Sequence, residues 1–156
     1  MDNIDKKILS VIQKYATIPL SELSKRVGIS TTPCWNRIKK MEEEKVIIGR
    51  ITLLERKKIN LPITIFLSIS VSNHSANWTE RFKTLIKRYD EIIEVHRLTG
   101  PGADYILKVV AISIEDYDKF QQKLIGEIEF NQMSSSISLH QMKQSHILPL
   151  EQLNQK

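Results

Sequence analysis

The stretch that most constrains this chain is Val27-Gly28-Ile29-Ser30, which lies between two short segments of helical periodicity. Leu20, Leu23 and Val27 share one face of a helix, and Cys34, Ile38 and Met41 recur at i, i+4 and i+7. Gly28 stands where an ending helix needs a left-handed residue. Ile29 is apolar and packs under the turn, and Ser30 suits the N-cap of the next helix. Pro33 falls in that helix's first turn, where a missing N–H costs little. An earlier helix is expected from Asp2 to Tyr15, with Ile4, Ile8, Val11 or Ile12, and Tyr15 on one face, Asp2 as its cap and Asp5 in its first turn. The residues ATIP end it. A helix, a glycine turn and a helix with a polar outer face make a helix-turn-helix.

With Cys34, Ile38 and Met41 turned inward, the other faces of the third helix hold Thr31, Thr32, Asn36, Lys39 and Lys40, with Arg37 near the boundary. Trp35 flanks the buried stripe and is expected to cover its edge. A solvated amphipathic helix would also be polar, but that does not account for an acid-free run from Ile29 to Met41 that holds three cations. Acids resume at Glu42, Glu43 and Glu44, so the end that meets phosphate is the N-terminal one. Charge is uneven in the same sense. Residues 1–60 hold 13 Lys/Arg against 7 Asp/Glu, a net +6, while residues 61–156 are at −1. The first segment therefore suits a polyanion. Double-stranded DNA is the expected partner, read by a dimer with two recognition helices in successive major grooves. Ser30, Thr31, Thr32 and Asn36 are the candidates for base edges, and Arg26, Arg37, Lys39, Lys40 and Arg50 for phosphates. After Glu44, Val46, Ile48 and Ile51 around Gly49 predict a strand, a turn and a strand, the wing of a winged helix-turn-helix, with Arg50 near its tip.

The second half alternates by twos. Ile63, Ile65, Leu67, Ile69 and Val71 interleave with Thr64, Phe66, Ser68, Ser70 and Ser72, a strand buried on one face. Trp78, Phe82, Leu85 and Tyr89 then repeat at helical spacing. Ile93 to Leu98 is a second strand, broken by the turn TGPGAD, and Tyr105 to Ile112 a third. Ser113 caps a helix buried through Tyr117, Phe120, Leu124 and Ile128, with Asp116 completing a capping-box pattern. Ser136 to Met142 is expected as the last strand, with Ile137 and Leu139 on one face. The order is βαββαβ, a ferredoxin-like unit, and the whole chain is of the α+β class. If the first and third strands bury their other residues, Phe66, Ile106, Val110 and Ile112 form an apolar face away from the helices, which calls for a partner.

The ordered set Leu23, Val27, Gly28, Ser30, Pro33, Cys34, Arg37, Ile38, Met41, Ile48 and Gly49 resembles the signature of the Lrp/AsnC family, and the ferredoxin-like half fits that family too. The resemblance implies dimers formed sheet to sheet, assembled further into an octamer as a tetramer of dimers. It also implies an amino-acid effector held at an interface between dimers by the loop between the second and third strands. The residues it points to are Thr99, Gly100, Pro101, Gly102, Asp104 and Tyr105, with Ile114 from the second helix and Ser136 and Ser138 from the last strand. The loop here is about one residue longer than is common in the family. Small serines on the strand leave two readings open, a roomier or more polar pocket or a solvated strand. A leucine-like or methionine-like effector is favoured, and an architectural DNA-binding protein without an effector is the alternative.

These readings place a winged helix-turn-helix at residues 1–54, a linker at 55–62, an effector and oligomerisation domain at 63–150 and a tail at 151–156. An RNA-recognition sheet is not expected, because Tyr105-Ile-Leu-Lys-Val-Val lacks the aromatic pattern such a strand needs. His74, His96, His140 and His146 form no spaced metal motif, and no nucleotide-binding or hydrolase motif is present. Neither a metal, a cofactor nor an enzymatic activity is expected. A single cysteine, Cys34, and the absence of a signal sequence or an 18-residue apolar run predict a cytoplasmic protein without a membrane segment.

Overall fold

A computed structural model describes residues 1–72 and 75–150; His74 and the tail at 151–156 lie outside them. The chain divides into two compact units, one of Met1–Leu53 with the chain from Met142 onward, the other of Leu54–Gln141.

The first unit holds α1 (Asn3–Ile12), α2 (Leu20–Val27) and α3 (Thr31–Glu43). Asp2 caps α1 and completes a capping box. Its Oδ1 accepts from the N–H groups of Ile4 and Asp5 at 2.8 and 2.9 Å, and Asp5 Oδ2 accepts from the Asp2 N–H at 2.9 Å. Gly28 ends α2 with φ at 80°, a conformation that favours glycine over any side chain. Its N–H returns to Ser24 O at 3.0 Å, and the Ile29 N–H to the same oxygen at 3.1 Å. The core beneath is Ile8, Leu9, Leu23, Val27, Cys34 and Met41, with Ile38 and Ile29 packed against it. Two expectations are corrected here. The first helix stops at Ile12, so Tyr15 leaves the apolar face and stands 53% exposed, while Leu9 takes a core position. Val46 to Ile51 forms no strand, so Arg50 sits on no hairpin tip; the run follows α3 through a tight turn in which Lys45 adopts φ of 58°.

The second unit is a four-stranded antiparallel sheet in the order β2-β3-β1-β4, from β1 (Ile63–Ser70), β2 (Ile92–Arg97), β3 (Tyr105–Ala111) and β4 (Gln132–Ile137). Helices α4 (Ala76–Ile86) and α5 (Ile114–Glu127) cover one face. Ile65, Leu67 and Ile69 meet Tyr105, Leu107, Val109 and Ala111 there, under Phe82, Leu85, Tyr117, Phe120 and Leu124. Ser113 caps α5 as expected, accepting from the Asp116 N–H at 3.1 Å. The expected linker belongs to this unit: Arg56–Ile59 is a 3-10 turn whose Arg56 hydrogen-bonds the Thr64 hydroxyl.

The last strand starts and ends earlier than the apolar pattern predicts. Met133 pairs with Ile69 and Ile137 with Ile65, and the final bond runs from the Ser138 N–H to Thr64 O at 2.8 Å. One residue before Ile63, where β1 begins, stands Pro62, which has no N–H to donate to a longer last strand. Leu139, past the end of the strand, is 98% exposed. The open face of the sheet is also more polar than expected. Phe66, Ile106 and Val110 lie on it, but so do Ser68, Ser70, Ser134, Ser136, Lys108, Glu94 and His96, and Ile112 lies past the end of its strand. Lys108 Nζ meets Glu94 Oε1 at 2.7 Å, which holds the Glu94 carboxyl below its usual range.

Candidate functional site

The outer face of α3 gathers the expected base-reading side chains. Ser30, Thr31, Thr32, Asn36, Lys39 and Lys40 are all exposed. The first turn of α3 carries no acid, and the Ser30 side chain makes no capping bond, so the positive end of the helix faces outward. Cys34 is buried opposite, and burial pushes its thiol up in pKa, which suits a packing role and not a reactive one.

The five cations fall into two kinds. Lys39 and Lys40 reach Glu43 and Glu44 one turn on, at 3.8 and 3.7 Å, all of them well exposed. Arg50 meets Glu42 at 2.9 Å, and Arg26 meets Glu22 at 2.5 Å while lying over the Tyr15 ring. Exposed pairs of this sort are worth little and can be exchanged for phosphate. Arg37 differs. Its Nη1 meets Asp2 Oδ2 at 2.6 Å and Asp5 Oδ1 at 2.8 Å, tying α3 to the start of α1. Asp2 is held below the usual carboxylate range, first by the Asp5 N–H and then by Arg37, and Arg37 is raised by Asp5 and Asp2. Sequence reading misses this tie because its partners lie 32 and 35 residues away.

The loop between β2 and β3 is fastened to the end of β1. The Asp104 N–H donates to Ile69 O at 2.8 Å, Asp104 Oδ2 accepts from the Val71 N–H at 2.8 Å, and the Ser70 hydroxyl donates to Gly102 O at 2.5 Å. Gly100 and Gly102 take φ of 117° and 108°, which explains why both are glycine. Thr99, Gly100, Pro101 and Gly102 are exposed at the loop's tip. Tyr105 is not: at 6% exposure its ring lies in the core, 5.0 Å from Phe82 and 5.6 Å from Trp78. The expected effector residues do not come together within one chain. The loop sits at the Ile69 end of β1, whereas Ile114 follows β3 at its Ile63 end, and Ser136 and Ser138 pair near Phe66 and Thr64. Ile63 and Ile69 are six residue steps apart along the strand, about 20 Å.

Two features have no clear signal in the sequence. Trp35 does not cover the core edge; it is half exposed, with Lys39 Nζ 5.3 Å from its ring centroid. The chain at 142–150, expected with the sheet, packs in the helical unit instead. Gln13 Oε1 accepts from the Leu148 N–H at 2.7 Å, its Nε2 donates to Leu148 O at 3.4 Å, and Leu150 joins the core. A cavity of about 600 Å³ opens in this unit, lined by Leu9, Ile12, Val46, Ile48, Ile51 and Leu148 among others. Among the described residues no cluster of His, Cys, Asp and Glu is placed to hold a metal ion, and no helix is long and apolar enough to cross a membrane.

Comparison with known proteins bears on both units. Residues 1–48 match the winged helix-turn-helix DNA-binding family, and residues 64–148 match the Lrp/AsnC ligand binding domain. The chain is similar to the glutamate uptake regulatory protein of Zymomonas mobilis, 38% identical over 156 residues, which is 100% of this chain and 94% of that protein. The crystal structure of an AsnC family transcriptional regulator from Agrobacterium tumefaciens superposes with a TM-score of 0.93 at 41% identity, covering 98% of this chain and 99% of that one. A transcriptional regulator from Neisseria meningitidis in complex with L-methionine superposes at 0.92 with 28% identity, over 98% and 99% of the two chains. With a DNA-binding and a ligand-binding half both matched, and full-length relatives named as regulators, the chain belongs to the Lrp/AsnC family of transcriptional regulators.

Proposed function

We propose that this protein is a sequence-specific DNA-binding regulator whose assembly or DNA binding responds to an amino acid. The observation that carries the DNA half is the outer face of α3, where Thr31, Thr32 and Asn36 project beside Lys39 and Lys40 from a helix end free of acids. Ser30, Thr31, Thr32 and Asn36 read base edges in the major groove, and Arg26, Lys39, Lys40 and Arg50 exchange their exposed carboxylate partners for phosphates. Arg37 acts by setting the position of α3 against α1. Selection from a random-sequence duplex pool tests this. The enriched sites are expected to be roughly palindromic, with half-sites about 34–36 Å or a multiple apart; a pool that never enriches refutes sequence-specific binding.

The effector reading rests on the ligand-binding family match, on the methionine held by the Neisseria relative, and on a glycine-rich loop tip with an aspartate at its root. Because Ile114 and Ser138 stand about 20 Å from Thr99 to Gly102 along the sheet, and Ser136, opposite Phe66, about 13 Å, one small amino acid meets the loop and that whole group only if a second copy of the chain brings its own. The site is thus one that oligomerisation completes, and a dimer, or an octamer as a tetramer of dimers, is the assembly we propose. A thermal-shift screen of the twenty amino acids tests it. A ligand at a hundred times its dissociation constant stabilises the native state by about 2.7 kcal/mol, and leucine or methionine is expected to give that shift. Asp104→Asn keeps an oxygen for the Val71 N–H but removes the charge, so it is expected to abolish the shift while leaving the apo protein's melting temperature close to wild type. A flat screen favours the architectural alternative and leaves the DNA half intact.

A further inference from the structure

Trp35 occupies a position on α3 that packing does not explain. Tryptophan usually hides most of its surface, yet this ring is 50% exposed and makes no part of the helical core. Thr31, Trp35, Lys39 and Glu43 follow one another at i, i+4, i+8 and i+12 along a single row of the helix. Lys39 lies over the indole, 5.3 Å from its centroid, and 3.8 Å from Glu43 at the far end of the row. Cation and ring thus hold each other in place in the middle of the row. Among the described residues no other large apolar side chain is exposed on α3. A protein-docking patch would offer contiguous apolar area; here one ring is set among hydroxyls, an amide and ammonium groups. A surface that alternates anionic and apolar groups fits that pattern, and the major groove of DNA is one. The apolar group it presents is the thymine 5-methyl.

We propose that Trp35 reads thymine, packing its indole against the 5-methyl group in the major groove while Lys39, held over the same ring, meets the flanking phosphate. This rests on the DNA-binding reading of α3 and adds a specificity residue to it. The chain has two tryptophans, so Trp78→Phe leaves Trp35 as sole reporter. The probe is a duplex enriched by the protein itself from a random-sequence pool, synthesised once with thymine and once with uracil. Trp35 emission is expected to change when the thymine duplex binds. The uracil duplex is expected to bind about fourfold more weakly for each methyl group that the indole would have covered, and Trp35→Ala to bind both alike. Binding seen by anisotropy of a labelled duplex without any change in Trp35 emission overturns the proposal and spares the DNA-binding reading. So does a thymine preference that survives in Trp35→Ala. Should that variant misfold by circular dichroism, Trp35→Phe and the emission of the native residue decide the matter. A pool that never enriches overturns both the proposal and the reading beneath it.

Discussion

The sheet unit closes over a wide apolar core with aromatic rings from both helices and β3, whereas the helical unit closes over a smaller one of Ile8, Leu9, Leu23, Val27, Cys34 and Met41. Both units add polar ties between segments far apart in the chain: Arg37 to Asp2 and Asp5, and Gln13 to the backbone of Leu148, in the helical unit; Asp104 to the Val71 N–H, and Arg88 and Tyr89 to Glu127, in the sheet unit. A unit with the broader core is expected to yield most to a cavity. A unit with the smaller core depends more on its ion pairs and hydrogen bonds, and so on pH, on salt and on single polar groups. The surface proposed to meet DNA belongs to the second kind.

The largest expected effect tests the first half of that comparison. Leu107 is fully buried at the centre of the sheet. Leu107→Ala is expected to destabilise the sheet unit by about 2–5 kcal/mol. Each unit contains one tryptophan, so denaturant titrations followed through Trp78 in a Trp35→Phe background and through Trp35 in a Trp78→Phe background separate the two. The Trp78 transition is expected to move to lower denaturant. An equal move in the Trp35 signal would show that the two cores unfold as one and break the comparison.

The next effect distinguishes cations by what they touch. Lys39→Ala and Lys40→Ala are each expected to lower the salt slope of DNA binding by about one unit, Lys40→Ala weakening all sequences alike and Lys39→Ala also loosening Trp35 and its preference for thymine. Arg37→Ala is expected to leave that slope nearly unchanged, while lowering the unfolding midpoint of the helical unit and the affinity for the selected site. A slope reduced as much by Arg37→Ala as by Lys39→Ala would return Arg37 to the phosphate contacts.

What the sequence allows to be read, and what it hides, divides in both units between local signals and distant partners. The α2–Gly28–α3 turn is legible because glycine at φ of 80° and the apolar stripes on either side are local signals. So are β1, with its strict alternation, and α5, with Ser113 as cap. The end of the sheet is not: Ser134, Ser135 and Ser136 carry no apolar alternation, and the pairing of β4 is set by where β1 begins. The Val46–Ile51 run looks like two strands, yet among the described residues nothing pairs with it. Arg37 looks like any other cation of the recognition helix, since its two carboxylates are distant in sequence. The residues expected to hold an effector are each reasonable singly, but only the register of the sheet shows that one chain keeps them apart.

Titration sharpens the comparison further. In the helical unit the Asp2 carboxyl is depressed by the Asp5 N–H and by Arg37. A depressed carboxyl stabilises the fold above its unfolded value of about 3.9, and that contribution is lost as pH falls through the folded value. Asp2→Asn is thus expected to flatten the fall of the helical unit's midpoint with acid below about pH 4. In the sheet unit Tyr89 is pushed up to about 12, by burial first and then by its hydrogen bond to Glu127 at 2.6 Å. A raised phenol stabilises the fold below its unfolded value of about 10. That contribution is lost as pH rises toward about 12. Tyr89→Phe is expected to remove this alkaline step from the sheet unit's midpoint.

The smallest expected effect concerns Gln13. Its side-chain amide pairs with both backbone groups of Leu148, the pattern one strand residue offers another, and so ties the chain just after α1 to the returning segment. Net, such bonds contribute about 0.5–1.5 kcal/mol each, and these lie at the surface, so Gln13→Ala is expected to shift the helical unit's midpoint only slightly. The local consequence is larger. The Leu148 N–H loses its acceptor, so its hydrogen exchange is expected to approach the rate of an open chain while amides of α2 and β1 keep their protection. Gln13→Glu retains an acceptor for Leu148 and is expected to preserve that protection in part. Slow exchange at Leu148 in Gln13→Ala would mean that Leu150 and the apolar side chains around it hold the segment by themselves. The helical unit would then be closer in kind to the sheet unit than its polar ties suggest.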